Sequence, residues 1–135
     1  MKHKRPHIEK NEQFFEGDIK KIAMDNEFFR RVIYTGPRCQ LAVMSIPAGG
    51  DSDEEIHANA DQIAFIVDGE GEAVLNGRVQ PGEKHCVIFV TAGTRHHVRN
   101  TGYRALKLVT VYAPPGHADG TVHHTKEEAM QEEHA

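Results

Sequence analysis

Seven short apolar segments follow one another along most of this 135-residue chain, and most of them end in glycine, proline or Asn-Gly. They are rich in Val, Ile, Leu, Phe and Tyr, which strands favour, and no helical pattern lies between them. The segments are FFRRVIYT, QLAVMSIPAGG, QIAFIVDGEG, EAVLNGRVQPG, CVIFVTAG, HHVRNTG and ALKLVTVYAPP. The chain is therefore predicted to be all-β.

The turn residues between these segments predict how the strands are joined. Asn76-Gly77 separates two strand candidates by two residues that favour a tight hairpin turn. Regularly spaced short strands indicate a sandwich or barrel, and a chain of this size would close as one small barrel. The run from Val87 to Val90 is apolar on both faces, so we expect a second sheet layer or a partner subunit to cover it.

A single domain with two tails is predicted from the length and from the change in composition along the chain. Residues 1–27 are polar and form an arm that packs on the barrel through one irregular turn. Residues 28–113 form the barrel, and residues 114–135 form a polar tail. Within that tail, Thr125 and Glu128 have the spacing of a capping box, which predicts a short helix beginning near Lys126.

Composition excludes several classes of function. Hydrophobic residues make up 39% and charged residues 27% of the chain, and no run of about 18 apolar residues offers a membrane span. The net charge is -4 and the basic residues are scattered, so nucleic acid is not expected as a partner. The first fifteen residues lack a secretory signal, and Cys39 and Cys86 have no CxxC spacing, which favours a reducing cytoplasm.

The stretch EEIHANADQ places three kinds of metal-binding side chain at the head of an apolar strand. Residues two apart in a strand share a face, so Glu55 projects with His57 whereas Glu54 faces the other side. Gln62 lies five residues beyond His57 and joins the pair only if the chain bends between Ala58 and Asp61.

The adjacent histidines of HHVRN are separated by the same alternation. His97 shares a face with Arg99, which belongs in solvent, whereas His96 shares a face with Val98, which belongs inside. His96 is therefore the interior histidine. The side chains predicted to converge in the barrel are Glu55, His57, Gln62 and His96.

This mixture of oxygen and nitrogen donors suits a single divalent ion such as Mn, Fe, Co, Ni or Zn, with positions left for water or a substrate oxygen. Taken singly, each residue is more simply explained as a hydrogen-bonded core residue or a solvated carboxylate. Taken together they favour a metal site, because burying all four without a cation is costly.

The spacing of these residues resembles the two motifs of the cupin superfamily, G(X)5HXH(X)3,4E(X)6G and G(X)5PXG(X)2H(X)3N. The first is matched in spacing by Gly49, Glu55, His57, Gln62 and Gly69, and the second from Gly93 through His96 to Asn100. The resemblance implies a double-stranded β-helix, or jelly-roll barrel. The ending LKLVTVYAPPGHADGTVHHTK also resembles bacterial cupins catalogued as similar to mannose-6-phosphate isomerase.

The chain departs from the cupin pattern at four positions. Glu55 stands where most cupins have His, Gln62 where they have Glu, and His85 and Thr91 where they have Gly and Pro. The first two changes offset each other, so the ligand set keeps one negative charge. Because Gln62 cannot act as a base, the acid–base role of an enzyme would fall to Glu55 or to a metal-bound hydroxide.

The resemblance implies a metal-dependent protein that acts on or binds a small polar, oxygen-rich molecule such as a sugar or sugar phosphate, as an isomerase or dioxygenase. The alternative is a non-catalytic ligand-binding or sensing protein with a structural or vestigial ion. A homodimer is also expected, since an exposed strand edge needs covering. The remaining histidines are expected on the rim or in solvated or packing roles: His3, His7, His85, His117, His123, His124 and His134.

Overall fold

The computed structural model describes residues 8–133, and strands dominate this part of the chain. The elements in chain order are β1 Ile8–Lys10, β2 Phe15–Gly17, α1 Ile19–Asp25, β3 Arg30–Thr35, β4 Gln40–Ile46, β5 Glu55–Ile56, β6 Asp61–Asp68, β7 Gly71–Leu75, β8 Arg78–Gly82, β9 Val87–Val90, β10 Arg95–Asn100, β11 Leu106–Ala113, β12 Val122–His123 and α2 Lys126–Glu133.

Two antiparallel sheets form the barrel. The larger sheet has six strands in the order β12-β3-β4-β11-β6-β9, and the smaller has four in the order β5-β10-β7-β8. Strands from both sheets contribute to one apolar core, in which Ile46, Ile66 and Leu108 of the larger sheet pack with Val98 of the smaller. The all-β, double-stranded β-helix predicted from the sequence is confirmed.

The Asn76-Gly77 hairpin also forms as predicted. Both residues have a positive φ, 50° at Asn76 and 80° at Gly77, as a tight two-residue turn requires. The turn joins β7 to β8, and Leu75 pairs with Arg78 at its base.

His85 stands at the position where the second cupin motif has a glycine. Its φ is 77°, in the left-handed region that favours glycine. Its ring stacks on Phe65 with the two centroids 6.5 Å apart, on the outer face of the barrel. The backbone of this turn is therefore kept although a histidine occupies it.

The N-terminal arm contains a helix rather than the single irregular turn expected from the sequence. Asp18 caps α1 by accepting a hydrogen bond from the Lys21 backbone N–H at 3.2 Å. Ile22 and Ala23 pack against Val43 and other residues of the larger sheet. A helix of only two turns presents too short an apolar stripe to be recognised by periodicity. None of the helices within residues 8–133 is long and apolar enough to cross a membrane.

The C-terminal tail folds back and forms α2 where the capping box predicts it. The Thr125 hydroxyl accepts a hydrogen bond from the Glu128 backbone N–H at 3.2 Å, while the Glu128 carboxylate reaches the backbone N–H of His124. Ala129 is buried in the core of the barrel. The tail therefore forms part of the domain.

The expectation that the chain itself covers both faces of β9 is wrong. Val90 is buried, but Val87 and Phe89 are 62% and 59% exposed. Within residues 8–133 the outward-facing side chains Val87 and Phe89 are therefore left uncovered, and the strand also lies at the edge of the six-stranded sheet. The other half of that expectation, a partner subunit, remains a prediction.

Candidate metal centre

The four predicted ligands come from both sheets and face one another across one end of the barrel. Glu55 in β5 is directly opposite His96 in β10. A turn at residues 58–59 separates β5 from β6, and Gln62 is the second residue of β6. The predicted bend is thus present, and it carries the chain from the smaller sheet to the larger.

Glu55 and His57 form one close pair. The Glu55 Oε2 atom lies 3.0 Å from Nε2 of His57. Glu54 points outward, and its carboxylate lies 3.8 Å from Nδ1 of His97. The alternation that selects Glu55 as the partner of His57 is confirmed.

His96 and Gln62 form the second pair. His96 is 7% exposed, as its position beside Val98 predicts. Its Nδ1 atom lies 2.9 Å from the Thr94 carbonyl oxygen, which can only accept, so Nδ1 carries the proton. Burial lowers the pKa of His96, which favours the neutral ring, and Nε2 then has a free lone pair.

The donor chemistry of the second pair fits a cation. The His96 Nε2 atom lies 2.9 Å from Oε1 of Gln62, so in this orientation two acceptors face each other. A cation bound by both atoms satisfies them, as does a Gln62 amide rotated to donate. Two ligands about 2.1 Å from one ion and at right angles to each other are roughly 3 Å apart. Both pairs therefore have the spacing of neighbouring ligands.

The two pairs do not form a ready-made cluster. Within residues 8–133, no three His, Cys, Asp or Glu side chains are grouped closely enough to hold a metal ion. The ring centroids of His57 and His96 lie 5.2 Å apart. The four predicted residues thus lie in two separate pairs, and their role as metal ligands stays a prediction.

Arg30 supplies the positive charge nearest to Glu55. Its guanidinium is buried, and its NH2 atom lies 3.6 Å from Oε1 of Glu55. Burial alone would raise the pKa of Glu55, but the hydrogen bond with His57 and the charge of Arg30 outweigh it, so that pKa lies below its ordinary value. Glu55 is therefore held as a carboxylate.

A chain of polar contacts connects Arg30 with the C-terminal helix. The NH1 atom of Arg30 donates to Nδ1 of His123 at 3.2 Å, because a guanidinium has no acceptor. The proton of a neutral His123 is then on Nε2, which contacts the Glu132 carboxylate in α2. The tail thereby fixes the cation that neutralises Glu55.

Tyr112 of the larger sheet packs against His57, and His117 of the tail packs against Tyr112. Tyr112 is 1% exposed and lies opposite Gln62 in the sheet register. Its ring makes edge-on contacts with His57 at 6.0 Å and with His117 at 5.0 Å between centroids. Burial lowers the pKa of His117 to about 4, so this imidazole is neutral at pH 7.

An open cavity of about 500 Å³ leads to Glu55 and His57. The tail forms one of its walls. The residues that line it are Asp53, Glu54, Glu55, Ile56, His57, Gly116, His117 and Glu132. The candidate centre is therefore accessible to a small molecule.

Several of these residues were missed or assigned a lesser role in the sequence analysis. Arg30 could have been found by alternation, because it shares a face with Val32, but a buried arginine is rare. Of the two roles expected for the tail histidines, solvated or packing, His123 has the packing one because it is buried, and His117 is half-buried at the wall of the cavity; only the folded tail reveals these positions. His124 is exposed, as expected. The other tail and arm histidines, His3, His7 and His134, lie outside the described residues.

The family model described as "Cupin domain" matches residues 42–112. YrkC of Bacillus subtilis (strain 168) is 38% identical over an alignment of 126 residues that covers 88% of this chain and 67% of YrkC. Both matches include every predicted ligand.

Solved structures are also similar to this chain. BH2720 of Bacillus halodurans superposes with a TM-score of 0.82 and 40% identity over 84% of this chain and 91% of that one. A Thermotoga maritima protein described as a predicted oxalate decarboxylase superposes with a TM-score of 0.56 and 28% identity, over 58% of this chain and 69% of that one.

Replacing Arg30 should destabilise the protein far more than replacing its neighbour. Arg30→Met leaves the half-buried Glu55 charge without its cation, which costs roughly 3 kcal/mol in the free energy of unfolding. The exposed Arg31→Met variant should stay within about 0.5 kcal/mol of the wild type. Urea titration of the chelator-treated proteins measures both.

The pH dependence of the Arg30→Met effect provides a further check. A carboxyl group with a lowered folded-state pKa stabilises the fold above its unfolded pKa, and this contribution is lost as pH falls through the folded value. The difference between wild type and Arg30→Met should therefore narrow below the ordinary pKa of 4.5. Equal stability of Arg30→Met and Arg31→Met at pH 7 would contradict the role given to Arg30.

Proposed function

The chain belongs to the cupin family, and from that membership we propose that it binds one divalent transition-metal ion and, at that ion, a small polar molecule rich in oxygen. The observation that carries the proposal is the convergence of two close donor pairs, Glu55 with His57 beside the smaller sheet and Gln62 with His96 across the two sheets. The cavity beside them has the size of a small-molecule site.

The proposed ligands select a class of ion. One carboxylate, two imidazoles and one amide oxygen suit Mn, Fe, Co, Ni or Zn, and no thiolate takes part. Such an ion supplies Lewis acidity toward a carbonyl or hydroxyl oxygen of the bound molecule. Both cysteines are free thiols and neither lines the cavity, which supports a cytoplasmic setting for the protein.

For an enzyme of the isomerase or dioxygenase type, the chain's own proton carrier at the site is Glu55. It is the only carboxylate among the proposed ligands, and the cavity gives a substrate access to it. Arg30 and His57 hold it in position from two sides. Gln62 orients a ligand through its amide and exchanges no proton.

A non-catalytic binding or sensing protein is the second candidate, and Gln62 is the observation that favours it. The amide stands where a cupin enzyme has a carboxylate, beside His96 at 2.9 Å. Removing that carboxylate leaves the donor set able to hold an ion while it takes away one acid–base group. The two candidates therefore differ in turnover and agree on metal binding.

Metal-dependent turnover distinguishes the two candidates. The enzyme should convert at least one sugar, sugar phosphate or enediol in a panel, and the rate should fall to background with EDTA and return when Mn(II) is added. Glu55→Gln should abolish the restored rate. Metal binding without turnover of any compound in the panel would favour the sensing protein.

Metal affinity tests the proposed ligands directly. His96→Ala should weaken binding of Mn(II) or Co(II) by roughly 100-fold or more, since mutation of even an outer-sphere partner of a metal site lowers the metal affinity about 10–100-fold. His97→Ala is the matched control, because it removes the neighbouring imidazole that faces outward. Isothermal titration of both variants measures the difference. Equal affinity in the two variants, or no binding by the wild type, would contradict the proposal.

A homodimer completes the proposal. Among the described residues no strand pairs with the outer edge of β9, and Phe65, Val87 and Phe89 form an exposed apolar surface on β6 and β9. Phe65 pairs directly with Val87 in the sheet register, so these side chains are contiguous. Two copies related by a twofold axis can cover this surface with its own equivalent.

Charge placed on this surface should separate the subunits. Phe89→Lys should convert the dimer to a monomer, because a twofold interface brings the two introduced charges together. Tyr103→Lys changes an aromatic residue that is 87% exposed elsewhere, and it should remain dimeric. Light scattering combined with size-exclusion chromatography measures the molecular mass of the wild type and of each variant. A monomeric wild type, or a dimeric Phe89→Lys, would overturn this part of the proposal.

A further inference from the structure

The C-terminal helix α2 is attached to the barrel mainly by polar contacts. Among its described side chains only Ala129 is buried. Lys126 forms an ion pair with Asp51 at 2.6 Å, and Glu132 contacts the ring of His123. A segment that buries so little apolar surface opens at a small cost in free energy. The docking of α2, its packing on the barrel, is therefore an equilibrium that a change in nearby charge can shift.

Glu132 occupies a position that the helix itself disfavours. It lies in the last turn of α2, where the helix dipole opposes a carboxylate and where no basic residue offsets it. Its carboxylate contacts Nε2 of His123, and its side chain lines the same cavity as Glu55. The group that favours this carboxylate is therefore His123, which lies outside the helix.

Arg30 is shared between two carboxylates. Its NH2 atom lies 3.6 Å from Oε1 of Glu55, and its NH1 atom donates to Nδ1 of His123 at 3.2 Å. The opposite nitrogen of that imidazole faces Glu132. One guanidinium thus has a negative charge on the side of the proposed ligands and a second one, reached through an imidazole, on the side of α2.

The balance between these two carboxylates changes when Glu55 binds a divalent ion. Glu55 then compensates the ion, and Arg30 is repelled by a second positive charge near the same carboxylate. Glu132, through His123, is the counter-charge that remains for the guanidinium. Because Arg30 is buried, these interactions are screened less than those of surface charges. Arg30 therefore depends more on α2 in the metal-bound protein.

We propose that α2 is a regulatory element of the metal centre, in which Glu132 acts through His123 and Arg30 as a positioning residue for Glu55. Docking of α2 and binding of the ion then stabilise each other, by the same factor in both directions. This inference rests on the proposed function and adds a means of regulating it. A partner that detaches α2 lowers the affinity of the centre for its ion.

Metal affinity tests the role of Glu132. Glu132→Gln should weaken binding of Mn(II) about fivefold, at the low end of ordinary coupling between sites. Glu127→Gln is the matched control, because it removes a carboxylate from an exposed position of the same helix that lines a different cavity, beside Asp51. Its affinity should equal that of the wild type. Isothermal titration measures all three proteins.

A double-mutant cycle tests the route through the imidazole. His123→Leu keeps the charge of Glu132 and removes the group that connects it to Arg30. In that background, Glu132→Gln should leave the Mn(II) affinity unchanged. A fivefold loss in both backgrounds would show that the charge acts directly across the cavity and would overturn the positioning role.

Hydrogen exchange followed by mass spectrometry measures the docking itself and needs no substitution of a buried residue. Saturating Mn(II) should slow exchange of the α2 amides in the wild type about fivefold, by the reciprocity of the coupling. Exchange of α1, which packs on the larger sheet, should not change. The slowing in α2 should be absent from Glu132→Gln and retained in Glu127→Gln.

Two further results would overturn the inference while leaving the metal site intact. One is equal affinity of Glu132→Gln and Glu127→Gln for Mn(II), and the other is α2 exchange that does not respond to Mn(II) in the wild type. Failure of the wild type to bind Mn(II) would instead overturn the proposed function, and the titration of the wild type alone reveals it.

Discussion

The carboxylate of Glu55, placed between two sheets, is the charge to which the rest of the site is fitted. Burying it is tolerable only with compensation, and Arg30 provides that compensation at 3.6 Å. Arg30 is in turn held by His123, which contacts Glu132 of the terminal helix. The buried charge of Glu55 is thus linked through Arg30 and His123 to the polar tail, whose β12 also pairs with β3 and whose Ala129 is buried in the core.

The same negative charge explains how the barrel accommodates Glu55 and Gln62, the two proposed ligands at which the chain differs from most cupins. A typical cupin has its ligand carboxylate at the position of Gln62, and here the carboxylate lies on β5, on the opposite sheet. The net charge of the proposed ligand set is unchanged, but the carboxylate now lies 3.6 Å from the guanidinium of Arg30. The vacated position holds an amide, which faces His96 without adding charge to the interior.

The sequence predicts those parts of the structure that depend on local periodicity. Alternation along a strand selects Glu55 over Glu54 and His96 over His97, because only one face of each strand is interior. His117 is beyond such reasoning, since its place depends on Gln40, 77 residues away in the chain. The buried position of His123 is likewise non-local, and α1 is too short to give a periodic signal.

A crystal of the protein grown with Mn(II), with anomalous diffraction data collected at the manganese absorption edge, would locate the ion directly. We expect one anomalous peak within about 2.0–2.3 Å of the side-chain donors of Glu55, His57, Gln62 and His96. A peak held by other residues, or no peak between the two donor pairs, would contradict this expectation.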